Sequence, residues 1–112
     1  MVKSERQRYI KFKLIRRPNC RFNEKDFLRA VWGSIWRYFG MKEANKVGLW
    51  LISLDFKDNV GILRCSHPTK EIVISSLSLI KQINRCDVII SPMKTSGTIK
   101  ALKNEEKARN NN

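Results

Sequence analysis

From Leu49 to Ser66 the chain runs apolar, turns, and runs apolar again, and this stretch constrains the fold more than any other. Leu49 to Phe56 and Val60 to Ser66 carry the aliphatic and aromatic content of strands, and Lys57-Asp58-Asn59 between them is a tight turn. Two strands joined so closely form an antiparallel hairpin. In a regular strand Trp50, Ile52, Leu54 and Phe56 share one face, while Leu49 and Leu51 lie on the other. A lone hairpin is marginal in water, so its flanks must supply more sheet and a covering layer.

Both flanks do so. Tyr9 to Arg16 alternates, with Ile10, Phe12 and Leu14 on one face and Tyr9, Lys11 and Lys13 on the other: a half-buried strand with a basic outer face, ended by Pro18-Asn19. Asn23 is placed to cap a helix over Glu24 to Phe39, with Glu24 and Asp26 at its positive end and Gly40 as its stop. The apolar positions of that helix, from Phe27 round to Trp36, cover an arc of about 180°, wider than packing on a sheet requires. Met41 to Lys46 is a connector with about one helical turn.

Beyond the hairpin, Pro68 opens a second helix expected to reach about Asn84, burying Ile72, Ser76, Leu79, Ile80 and Ile83. Asp87 to Lys94 is the last strand, extended after a bend by Thr95 to Leu102. The order β-α-β-β-α-β predicts an α+β fold, the ferredoxin-like or RRM-like split βαβ sandwich, with an antiparallel sheet and both helices mainly on one face. A chain of 112 residues, 42% hydrophobic, supports one core. We expect a single domain over residues 1–102 and a flexible polar tail over 103–112.

The charge points outward from that core. Lys and Arg number 23 against 10 Asp and Glu, a net +13. Residues 1–25 hold nine basic side chains against two acidic ones, a local excess of 9 − 2 = +7. This exceeds the net charge of about 2 to 8 that suffices for solubility, and attracts polyanions. No apolar run is long enough to cross a membrane, and the charged start has no signal-like apolar segment. The expected setting is cytoplasmic, or nuclear in a eukaryote. Cys20, Cys65 and Cys86 form no CxxC pair and are odd in number, so neither a disulfide framework nor a metal site is expected.

Catalysis by side chains has little support. The single His67 precedes Pro68 and reads as part of a helix start, no paired carboxylates stand out, and no phosphate-binding glycine motif occurs. Acylphosphatase uses this architecture, with an arginine in a glycine-containing loop after the first strand. Here that loop is Arg16-Arg17-Pro18-Asn19-Cys20-Arg21, arginine-rich but without glycine. RNA-recognition motifs stack bases on aromatics of the first and third strands. The third strand here has none, which leaves contact with the phosphate backbone as the expected mode.

Candidate RNA contacts are Lys11, Lys13, Arg16, Arg17 and Arg21 around the first strand, with Lys94 and Lys100 flanking Ser96-Gly97-Thr98. That turn reads equally as a phosphate-binding backbone or an ordinary bend. Trp50 is expected in the core. Trp32 and Trp36 on the wide helix arc, with Leu49 and Leu51 on the far face of the second strand, form a candidate protein-partner surface.

Three segments taken together resemble the ribonuclease P protein component 2 family, the small subunit of archaeal and eukaryotic RNase P and RNase MRP. They are Lys46-Val47-Gly48-Leu49-Trp50-Leu51-Ile52, Gly61-Ile62-Leu63-Arg64-Cys65-Ser66-His67 and Ser96-Gly97-Thr98-Ile99-Lys100. The likeness spans about residues 7 to 102; the absence of long insertions favours the archaeal form. It adds Arg64 to the RNA-contact candidates and touches Ser96, Gly97, Thr98 and Lys100 directly. The resemblance implies an RRM-like fold and a TIM-barrel partner, RNase P protein component 3, in a heterotetramer. It also implies that this chain binds the catalytic RNA domain, that the RNA cleaves precursor tRNA with Mg²⁺, and that the chain itself holds no cofactor. The alternative is another RNA scaffold protein of the same fold, ribosomal or from ribonucleoprotein assembly.

Overall fold

The computed structural model describes residues 6–102; the tail expected over 103–112 lies outside them. Strand β1 (Gln7–Arg16) leads into helix α1 (Glu24–Ala44), the hairpin β2 (Trp50–Asp55) and β3 (Val60–Ser66), helix α2 (Lys70–Leu79), a short β4 (Gln82–Ile83) and β5 (Cys86–Ser96). The sheet is antiparallel in the order β2-β3-β1-β5-β4. This is the split βαβ arrangement with one small edge strand added.

Local chemistry fixes the elements as expected in several places. Asn23 and Asp26 form a reciprocal cap: the Asp26 N–H donates to Asn23 Oδ1 at 2.8 Å, and the Asn23 N–H to Asp26 Oδ2 at 3.1 Å. Gly40, at φ 87° and ψ 170°, breaks α1 after Phe39, and one further turn follows to Ala44. Only glycine adopts that backbone cheaply. In the hairpin turn, Asp55 accepts the N–H groups of Lys57 and Asp58, and Asn59 takes a left-handed φ of 57°.

The core lies between the sheet and the two helices. Ile10, Phe12 and Leu14 of β1, Leu63 and Cys65 of β3 and Val88 and Ile90 of β5 meet Phe27, Val31 and Ile35 of α1 and Val73 and Leu77 of α2. Phe12 and Phe27 stack with ring centroids 5.0 Å apart. Each such side chain contributes about 1.5–3 kcal/mol by leaving water. The helices meet at small residues, where Ser34 Oγ donates to the Ser76 carbonyl at 2.9 Å.

Three expectations are corrected. Helix α2 stops at Leu79 rather than near Asn84. Ile80 is already extended, and Asn84 and Arg85, at φ 51° and 67°, make a two-residue turn between β4 and β5. Ile80 and Ile83 are buried as expected, but from extended chain, while Leu79 is exposed and Val73 and Leu77 take its place in the helix stripe. After Ser96 the chain does not continue as strand: residues 99–102 are helical, and Leu102 is buried.

The third correction reverses a strand face. The register between β2 and β3 slips between Leu51 and Ser53, so Ile52 is the extra residue of a bulge. Leu51 and Leu54 therefore both pair above core positions Leu63 and Gly61. Trp50 pairs with Arg64 on the opposite face and is 60% exposed. It is not a core residue.

Candidate nucleic-acid interface

Cross-strand partners in a sheet share a face, so the register alone assembles the side turned away from the helices. Four strands contribute one transverse row there: Trp50 of β2, Arg64 of β3, Tyr9 of β1 and Ser96 of β5. In the next row Ile62 stands beside Lys11, and Lys11 beside Lys94. Lys13 follows between Val60 and Ser91, and Ile15 beside Ile89, both exposed, closes the face. Of the sequence candidates, Lys11, Lys13, Arg64, Lys94 and Ser96 thus come together on one surface. Tyr9, Trp50 and the two isoleucines share it.

Arg64 is the centre of the first row. Its guanidinium carbon lies 5.7 Å from the centre of the Trp50 ring. This is cation–π distance. Its Nε is buried and meets no hydrogen-bond acceptor among the described residues.

Arg16 leaves the set. Its Nε donates to Asn59 Oδ1 at 2.9 Å, one terminal nitrogen donates to the Cys20 carbonyl, and the other donates to the Phe56 carbonyl at 3.0 Å. Its guanidinium also lies over the rings of Phe22 and Phe56. This side chain ties the β1–α1 loop to the hairpin turn. The same contacts take one of the three arginines of that loop out of any acylphosphatase-like phosphate cradle. Arg17 and Arg21 remain exposed on the loop.

At the other end of β1, Ser96-Gly97-Thr98 forms a cap rather than an open loop. The Thr98 N–H donates to Ser96 Oγ and the Ala101 N–H to Thr98 Oγ1, each at 3.2 Å. Arg8 lies against this turn: a β-carbon on Gly97 would stand 3.2 Å from Arg8 Nη1. Arg8 thus places a cation against Gly97 that the strand pattern did not single out. Lys100 is exposed on the helical turn that follows.

The protein-partner candidates separate. Trp36 is 51% exposed, facing away from the sheet, while Trp32 is half-buried against the core edge. Leu49 and Leu51 pack against the core because the bulge turns them inward. On the opposite flank of α1, Gly33, Ser34, Arg37 and Tyr38 line an open groove of about 670 Å³ with Leu79 and Lys81.

No group of three potential metal ligands occurs among the described residues. All three cysteines are free thiols. Hydrogen bonding with the Cys86 thiol, followed by burial, raises Cys20 above its ordinary value. Burial pushes the Cys65 thiol up to about 11. Neither environment makes a thiolate nucleophile. No helix among the described residues is long and apolar enough to cross a membrane.

Comparison with known proteins agrees with this architecture. Residues 8–107 match the model of the Rpp14/Pop5 family. Ribonuclease P protein component 2 of Pyrococcus furiosus is 37% identical over 99 residues, covering 88% of this chain and 81% of the relative. The Thermococcus gammatolerans protein of the same name is 34% identical with the same coverage. That of Methanocaldococcus jannaschii is 31% identical over 88% of this chain and 71% of its own. A chain of the yeast ribonuclease MRP structure solved by cryo-EM shares the fold, with a TM-score of 0.69 over 97% of both chains at 14% identity. With the motif residues on one domain and the family model spanning nearly all of it, this chain belongs to the Rpp14/Pop5 family.

Proposed function

We propose that this chain is a protein subunit of ribonuclease P, acting in the cytoplasm in maturation of precursor-tRNA 5′ ends. The observation that carries the reading is its 37% identity, over most of both chains, to a protein named ribonuclease P protein component 2. The basic face supports a physical role for such a subunit. Lys11, Lys13 and Lys94 spread positive charge over a rigid sheet, which neutralises closely packed RNA phosphates and favours a compact RNA fold.

In this reading the RNA cleaves, using Mg²⁺, and the isolated chain does not. Its side chains position and screen; none of them moves a proton. The exposed Trp36 and the groove beside Arg37 are the surfaces available to a protein partner, for which we propose the TIM-barrel subunit, RNase P protein component 3, in a heterotetramer.

The test is precursor-tRNA cleavage by the cognate RNA at moderate magnesium, with this chain, its TIM-barrel partner, both or neither. Stimulation by the pair beyond that by either protein supports the reading. RNA binding without stimulation would move the chain to a scaffold role elsewhere.

A further inference from the structure

We propose that Trp50 is a stacking platform for an unpaired RNA base, with Arg64 as its cationic backing and the Lys11–Lys94 row as the seat of the adjoining phosphate. This deepens the RNA-binding reading and rests on it.

Three observations converge. A 60% exposed tryptophan on an open sheet face forgoes the burial its large ring would gain in a core. The bulge at Ile52 places it there, since without the register slip Trp50 and Leu54 would share a face. The Arg64 guanidinium sits 5.7 Å from the ring centre, with its Nε unpartnered among the described residues.

The occupant follows from the charge. On this face the rows beside Trp50 carry Arg64, Lys11, Lys94 and Lys13, and the chain as a whole is +13. An apolar protein segment would have to desolvate those cations, whereas single-stranded RNA presents a π-face for the indole and a phosphate for the cations. A duplex offers only its phosphates, because its bases are stacked internally.

Binding of a short oligouridine and of a blunt RNA duplex of equal charge, at one fixed low salt, tests this on the full chain. Trp50→Ala should weaken oligouridine binding about fivefold to a hundredfold and leave duplex binding within about twofold. Trp50→Phe should retain most of the oligouridine affinity while losing the quenching of tryptophan emission that the oligonucleotide causes in the native chain. Unchanged oligouridine affinity in Trp50→Ala, or an equal loss on both probes, overturns the proposal. In the first case the face is left to a protein partner. If the native chain binds neither probe, the RNA-binding reading itself fails and the stacking site falls with it. Matching thermal transitions for native and variant chains keep a folding defect apart from these outcomes.

Discussion

The ring of Phe12 occupies the space where Gly61 would carry a side chain: a β-carbon on Gly61 would stand 2.4 Å from Phe12 Cζ and 2.9 Å from the Ser53 carbonyl oxygen. Gly61 is paired with Phe12 across β1 and β3, so the ring lies over its partner's bare backbone and reaches Phe27 beyond. Gly61→Ala should therefore destabilise the chain by about 1–3 kcal/mol through overpacking. In a urea-denaturation cycle, Phe12→Leu should cost less in the Gly61→Ala background than alone. Simple additivity would mean that the ring is not what the methyl meets.

Arg16 is predicted to matter to folding more than to RNA. Replacement by Lys keeps the charge but cannot present the planar fork that serves Asn59, Cys20 and Phe56 together. Arg16→Lys should lower stability by about 2 kcal/mol, measured by thermal or urea unfolding. A stable Arg16→Lys variant with weakened RNA binding would reassign the residue to the interface.

Lys13 is exposed and Lys11 half-buried on the open face. Replacing both by Ala should leave the fold intact and reduce the log–log salt slope of RNA binding by about 1.4–1.8, at ~0.7–0.9 per phosphate contact. Binding titrations at several salt concentrations measure the slope directly. An unchanged slope places the RNA elsewhere.

Trp36 projects from α1 at 51% exposure, so Trp36→Ala should change stability by less than about 1 kcal/mol. Association with the proposed TIM-barrel partner should weaken at least tenfold if its ring fills a pocket there, about 1.4 kcal/mol. Isothermal titration calorimetry reads both affinity and stoichiometry.

Cys65 carries a pH signature. Its thiol is raised from 9.0 to about 11, chiefly by burial, with a Thr69 hydrogen bond and Lys70 opposing. The folded state holds this proton more tightly than the unfolded chain. Its contribution is fully present below pH 9 and is lost as pH rises through about 11. The stability difference between the native chain and Cys65→Ala should be flat below pH 9 and shift against the native chain above it, by urea denaturation at each pH.

Much of this was legible in the sequence, for identifiable reasons. Ile10, Phe12 and Leu14 alternate without interruption, so β1 and its basic face could be read directly, and Asn23, Asp26 and Gly40 announce both ends of the main part of α1. Strand β2 misled because a bulge changes parity without changing composition. Trp50-Leu51-Ile52-Ser53-Leu54 fits a regular strand with Trp50 inward, and only the pairing with β3 shows Ile52 as the extra residue. The apolar Leu49 and Leu51, on the face that regular alternation turns outward, were the sign of the bulge, too faint to weigh against four alternating large side chains. The end of α2 failed differently: Ile80 and Ile83 keep helical spacing while the backbone is already extended. Arg16 looked like one more surface cation because its acceptors lie far along the chain, at Phe56 and Asn59.

That distance also couples two segments far apart in the chain. The β1–α1 loop is held by an arginine whose acceptors on the hairpin turn lie 40 and 43 residues downstream. Loop and hairpin tip are thus joined through one side chain, so that local opening of either releases a contact of the other. Anything that grips Arg17 or Arg21 on that loop also holds the hairpin shut, and its effect would be read as slowed amide exchange at Lys57 and Asp58, far along the chain from the point of contact.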